Sequence, residues 1–280
     1  MAELGLLNTG MLDQRLALHW IQESIAAFGE SPSKVTLFGD STGAVSMYSH
    51  MMAYGGRDDR LFQQTLNALL TNSAPKGFNT TEQLSESLAK NNRTLPKQSP
   101  RIFPPQPLPN TTVSKLPGLY PTAPRLGCPY NTGDTRLTPG GLDKKACSIF
   151  GDLVIVAPAQ QHAATLAAGG VSVYCYRFKL PPASAAPARG VSTGVEQANV
   201  FSNLDLGASA WDRALAYEMA STWVSFAHGL DPNPGSHSTL PHWPEYGKEA
   251  NIIVFNGHQG TYREEGIEYI TQNVLPDGVL

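Results

Sequence analysis

Apolar residues Leu16, Leu18, Trp20, Ile21, Ile25 and Phe28 recur at mostly helical spacing, and Gly29 stops the run. The pattern predicts a helix over residues 10–28, with a stripe wide enough for most of it to be buried. After it the period shortens. Val35-Thr36-Leu37-Phe38 is a β-prone apolar run, so residues 34–38 are predicted as a strand. A helix-compatible stretch beginning Ala44-Val45-Ser46-Met47-Tyr48 follows and is predicted to reach about Tyr54. Gly55-Gly56-Arg57-Asp58-Asp59 reads as a loop, and a strand is expected near Leu66–Thr71.

The second half alternates in the same way. Residues 91–145 are rich in Pro, Asn and Thr and hold no sustained period, which predicts mainly irregular surface chain. Residues 143–168 read as a helix broken at Pro158. The run from Val171 to Phe178, between Gly169-Gly170 and Pro181-Pro182, reads as a strand. A helix is predicted over 209–228, where Trp211, Leu215, Met219, Trp223 and Phe226 lie near helical spacing. Ile252–Phe255 reads as a last strand, with a short helix near 264–272. About four strands alternating with helices predict an α/β fold. The sheet is expected to be mostly parallel and flanked by helices, in one domain over residues 1–280.

Composition narrows the function classes. The 280 residues are 41% apolar, enough for a sizeable core, and the net charge is only −3. With no basic stripe, nucleic acid and anionic membranes are not expected partners. No apolar run reaches membrane-span length, and Met1–Leu7 lacks the basic and apolar regions of a signal peptide, so the compartment stays open. Cys128, Cys147 and Cys175 permit at most one internal disulfide, and no His or Cys spacing suggests a metal. No cofactor is expected. Three glycosylation sequons begin at Asn79, Asn92 and Asn110.

The chemistry concentrates in Gly39-Asp40-Ser41-Thr42-Gly43, a Gly-x-Ser-x-Gly between a predicted strand and a predicted helix. This is the signature of a nucleophile elbow, a turn tight enough to hold the serine in strained backbone with its hydroxyl exposed. Bare glycines keep side chains away where strand and helix nearly touch. Ser41 is the candidate nucleophile, and the amide of Thr42 is the candidate oxyanion donor, at the positive end of the helix.

The flanks carry a resemblance. Asn8 to Gly29, then Pro32-Ser-Lys-Val-Thr-Leu-Phe-Gly-Asp-Ser-Thr-Gly-Ala44, are similar to the type-B carboxylesterase/lipase family, which includes cholinesterases and fungal lipases. The likeness covers most of the chain, strongest at 5–64 and 120–270 and weak across 79–119. It implies a partial α/β-hydrolase fold. It also implies two losses. The family's Gly-rich oxyanion loop has no counterpart, since no His-Gly-Gly or Gly-Gly-Gly occurs. Too few residues separate Leu61–Gln64 from Leu66–Thr71 for the family's helical insertion, which implies an internal deletion.

A serine needs a histidine to take its proton and an acid to orient that histidine. The resemblance places the family's acid at Lys76, within Asn72–Phe78, and its histidine at Thr193, within Gly190–Glu196. Lysine cannot accept the imidazolium's hydrogen bond, and threonine is no base near neutral pH. Both are expected on the carboxyl-terminal side of the sheet, facing Ser41. Glu82 and Glu86 are expected as solvated helix charges. None of the seven histidines has a motif that aims it at Ser41. The expectation is therefore a carboxylic-ester hydrolase homologue that is catalytically impaired, with a small ester as substrate if active. The alternative is a non-catalytic binding or adhesion homologue of the same fold. Exposed sheet edges are expected to favour self-association.

Overall fold

The computed structural model describes residues 8–68, 79–86, 108–136, 140–181, 187–235 and 238–255. It divides into two compact units. The first comprises Met1–Leu69 and Ser221–Pro234, the second Leu70–Ala220 and Gly235–Leu280.

In the first unit, α1 (Thr9–Ser24) passes through a 3-10 turn, Ile25–Phe28, that ends at Gly29 with φ +85°. Next come β1 (Thr36–Asp40), α2 (Thr42–Gly56) and β2 (Gln64–Ala68). Helical backbone in α2 is broken at Ala53, Tyr54 and Gly55, so the elbow helix proper ends ahead of Ala53, before the glycine pair. β1 and β2 pair in parallel, Thr36 opposite Gln64 and Asp40 opposite Ala68. α2 is the crossover that a parallel pair requires.

The burial of α1 differs from the expectation. Only Arg15 and Leu18 are buried, whereas Leu16 is 68% and Trp20 54% exposed. Periodicity tells which residues share a face, not which face is covered. Polar side chains hold the helix instead. Gln22 Nε2 donates to the carbonyls of Pro32 (2.8 Å) and Leu61 (3.1 Å). Arg15 donates to Asp59, which also takes two hydrogen bonds from Arg57, and both guanidinium groups lie over the Tyr54 ring at 5.0 and 4.8 Å. Gln64 Nε2 donates to the carbonyl of Ala227 (3.3 Å) in α8 (Ala210–Gly229), a helix whose residues from Ser221 onward belong to this unit.

The second unit is built on a core of Leu84, Leu116, Ile149, Leu153 and their neighbours. Residues 81–86 (α3) are helical, as expected for the stretch that carries Glu82 and Glu86. The expectation of irregular chain over 91–145 is corrected in part: Asn110–Lys115 form α4, and 3-10 turns follow at Leu116–Leu119 and Pro124–Leu126. Prolines break periodicity, but Val113, Leu116 and Tyr120 still bury against the core. The predicted helix 143–168 is α5 (Asp143–Gly151), a π turn over Asp152–Val156, and α6 (Ala157–Ala168). The irregularity precedes Pro158 because proline, with no N–H and a ring against the preceding turn, fits only the first turn of a new helix.

β3 (Cys175–Phe178) is shorter than predicted and pairs in parallel with β4 (Ile252–Phe255), which has the predicted bounds. Trp243 ties this pair together: its Nε1 donates to the Cys175 carbonyl (3.0 Å), and its ring meets Tyr174, Tyr176 and Phe255 edge-on. α7 (Gln197–Val200) lies between, and α8 begins in this unit with Met219 fully buried. The four strands among the described residues form two parallel pairs, an α/β arrangement. No disulfide joins Cys128, Cys147 and Cys175. The helix expected near 264–272 lies outside the described residues.

Candidate active site

The elbow forms as its sequence requires. β1 ends at Asp40, Ser41 has φ 53° and ψ −115°, and α2 starts at Thr42. That backbone conformation is sparsely populated for any residue with a Cβ. The strand lies two residues later than predicted and runs straight into the turn. Ser41 and Thr42 are exposed, while Gly39 and Ala44 beneath them are buried.

The glycines play unequal parts. A Cβ on Gly39 would stand 2.6 Å from the Gly43 carbonyl carbon and 2.9 Å from the Ala44 nitrogen, both backbone atoms that cannot swing away. A Cβ on Gly43 would meet nothing within 4 Å. The expectation that both glycines keep side chains out thus holds for Gly39 alone. Gly43 is the surface against which Gly39 must be bare.

The Ser41 hydroxyl makes no hydrogen bond among the described residues. The first bond of α2 runs from the Val45 N–H to the Ser41 carbonyl (3.1 Å), which leaves the amides of Thr42, Gly43 and Ala44 without helical acceptors. An exposed hydroxyl therefore sits beside unfilled N–H donors at the positive end of a helix, a setting that favours an anion.

The other site residues named from sequence fall as follows. Lys76 lies outside the described residues. Thr193 is exposed on a turn of the second unit, ahead of α7, and Glu196 at the end of that turn is buried. Glu82 and Glu86 are exposed on α3. His50, on α2 itself, is buried and shares a hydrogen bond of 3.1 Å with Gln14 Oε1. Burial, with the Arg15 charge second, holds its pKa below the usual histidine value. Burial pushes that of His162 down to about 4. Among the described residues no three His, Cys, Asp or Glu side chains converge to hold a metal, and no helix is long and apolar enough to cross a membrane.

The model of the carboxylesterase family matches residues 7–90 and 128–268, more than half of the chain. The chain belongs to the carboxylesterase family. Relatives fall on both sides of the resemblance. A secreted lipase of Botryotinia fuckeliana is 56% identical over 52 residues, 19% of this chain and 9% of that protein. Cholinesterase 1 of Branchiostoma lanceolatum is 45% identical over 76 residues, 27% of this chain and 21% of its own. A secreted triacylglycerol lipase of Gibberella zeae is 23% identical across 96% of this chain and 61% of its own. This carboxylesterase-family chain thus spans between about a tenth and three fifths of the length of these relatives. The family is one of α/β-hydrolase fold, and the parallel pairs with their helical crossovers are a partial version of it.

Proposed function

We propose that Ser41 is the nucleophile position of a serine carboxylic-ester hydrolase, with the Thr42 N–H as oxyanion donor, and that this chain is catalytically impaired. One observation carries the first half: Ser41 sits in strained backbone at a strand-to-helix turn with an exposed, unbonded hydroxyl. The second half rests on the resemblance, which sets Lys76 at the family's acid position and Thr193 at its histidine position. Neither can supply an orienting carboxylate or a base. Removing a triad histidine costs on the order of 10⁶ in turnover in a serine protease. The Gibberella relative supports the internal deletion, since its alignment extends over 369 positions against a chain of 280 residues. The relatives' names, lipase and cholinesterase, point to carboxylic esters as the class Ser41 would meet.

The decisive assay compares the chain with Ser41→Ala on a p-nitrophenyl ester. Equal background rates are expected. Turnover lost on Ser41→Ala would mean that another histidine rebuilds the triad and would overturn the impairment.

A second reading, a non-catalytic binding homologue, is favoured by the exposed apolar stripe Leu12, Leu16 and Trp20 on α1. Self-association through sheet edges belongs to the same proposal. Among the described residues each strand has one hydrogen-bonded neighbour, and a strand edge without a second one favours such pairing. Light scattering across a dilution series distinguishes a monomer from such assemblies.

A further inference from the structure

Two of the three sequons, Asn79-Thr80-Thr81 and Asn110-Thr111-Thr112, lie on the described surface of the second unit, and the ester chemistry uses neither. Both asparagines are exposed. Each stands where a helix begins, with the far side of that helix in the core: Leu84 for α3, Val113 and Leu116 for the segment opened by Asn110.

The Asn79 side chain is oriented. Its Oδ1 accepts a hydrogen bond from the Gly141 N–H (3.0 Å). Because that partner is a donor, the amide atom facing it is the oxygen, and Nδ2 is the other end. Nδ2 makes no hydrogen bond among the described residues. The backbone is held as well. Gln83 Oε1 accepts from the N–H groups of Asn79 (2.8 Å) and Thr80 (3.2 Å), while the Gln83 N–H donates to Thr80 Oγ1 (3.3 Å). This is a capping box with Thr80 as the cap, and it fixes Asn79 immediately ahead of that cap. The Asn110 side chain likewise makes no hydrogen bond among the described residues, and Thr112 is turned inward, 2% exposed.

We propose that Asn79 and Asn110 are N-glycan acceptors when the chain enters a secretory lumen, and that the Asn79 amide serves twice. Its oxygen clamps Gly141, and its nitrogen carries the sugar. The co-reactant is a polyprenyl-pyrophosphate-linked oligosaccharide. Nδ2 displaces the pyrophosphate from the anomeric carbon: the C–N bond forms, the C–O bond breaks, and the pyrophosphate leaves with the electron pair. One Nδ2 proton passes to a base of the transferase. The amide stays neutral and keeps its oxygen, so the clamp on Gly141 survives modification. The proposal stands independently of whether Ser41 is active.

The test expresses the full chain behind a cleavable secretory leader in a eukaryotic host. Secreted and membrane-retained material is treated with peptide-N-glycosidase in ¹⁸O-water and read by mass spectrometry. The expected result is ¹⁸O-labelled aspartate at positions 79 and 110 in most chains, lost singly in Thr81→Ala and Thr112→Ala. Unmodified asparagine at either position in most recovered chains overturns the proposal. The double role has its own readout, hydrogen exchange at the Gly141 amide. Thr81→Ala removes the glycan and keeps the oxygen, so protection is expected to persist. Asn79→Ala removes both, and exchange is expected to accelerate at least tenfold. Where Asn79→Ala does not accumulate, Asn79→Asp keeps an acceptor oxygen without a glycan and is expected to retain protection. Loss of protection in Thr81→Ala or in Asn79→Asp would defeat the clamp.

Discussion

A Cβ on Gly39 would come within 2.6 Å of the Gly43 carbonyl carbon, so the end of β1 and the start of α2 touch backbone to backbone across Ser41. Nothing flexible lies at the contact to yield. Gly39→Ala is expected to destabilise the chain by roughly 1–3 kcal/mol, the range for overpacking. Gly43→Ala, in open space at the second residue of α2, is expected to be neutral or to stabilise by up to ~1 kcal/mol through helix propensity. Urea unfolding of the two variants checks the contrast; equal effects would refute this view of the elbow.

Ser41 stores strain at φ 53° and ψ −115°. Such conformations cost about 1–3 kcal/mol when the residue has a Cβ. Ser41→Gly is expected to be more stable than Ser41→Ala by a similar fraction of that range, since both remove the hydroxyl and only one removes the Cβ. Thermal unfolding of the pair measures it. Identical midpoints would show that the turn is unstrained.

Burial depresses His162 from 6.5 to about 4. The unfolded chain takes up the proton near 6.5, and the folded chain resists until about 4. The stability from a neutral His162 is therefore complete above pH 6.5 and is lost as the pH falls through that window. One proton gives a slope of at most about 1.4 kcal/mol per pH unit. Denaturant midpoints between pH 7 and pH 4 are expected to fall, and to fall less steeply in His162→Leu.

Trp243 packs against Tyr176 and Phe255 and donates to the Cys175 carbonyl at 3.0 Å. Trp243→Phe keeps an aromatic ring and abandons the donor. Its expected cost is roughly 1–3 kcal/mol, from the unpaired carbonyl and the smaller ring. Near-ultraviolet circular dichroism and urea titration read the effect, and an unchanged midpoint would mean that water replaces the bond.

Much was legible because some patterns are local. Gly39-x-Ser41-x-Gly43 between an apolar run and a helix-compatible run specifies its own turn, and the elbow formed at that place. β4 has the predicted bounds because Ile252–Phe255 is a short apolar run with no helical period. The flanks of the elbow carried the family, which the match over 7–90 and 128–268 bears out.

Other features depend on partners far away in sequence. Arg15 sits among apolar positions of α1, and nothing local marks its pairing with Asp59, 44 residues on. The exposure of Leu16 and Trp20 was hidden for the same reason, since a helical stripe reads alike whether or not another element covers it. The sequence by itself determined the alternation of helices and strands, the strained serine and the family, because turn sterics and hydrophobic period act within a few residues. Only the tertiary structure decided which apolar face is covered, which of two glycines must stay bare, and that β1 pairs with β2 and β3 with β4, because those follow from contacts between segments distant along the chain.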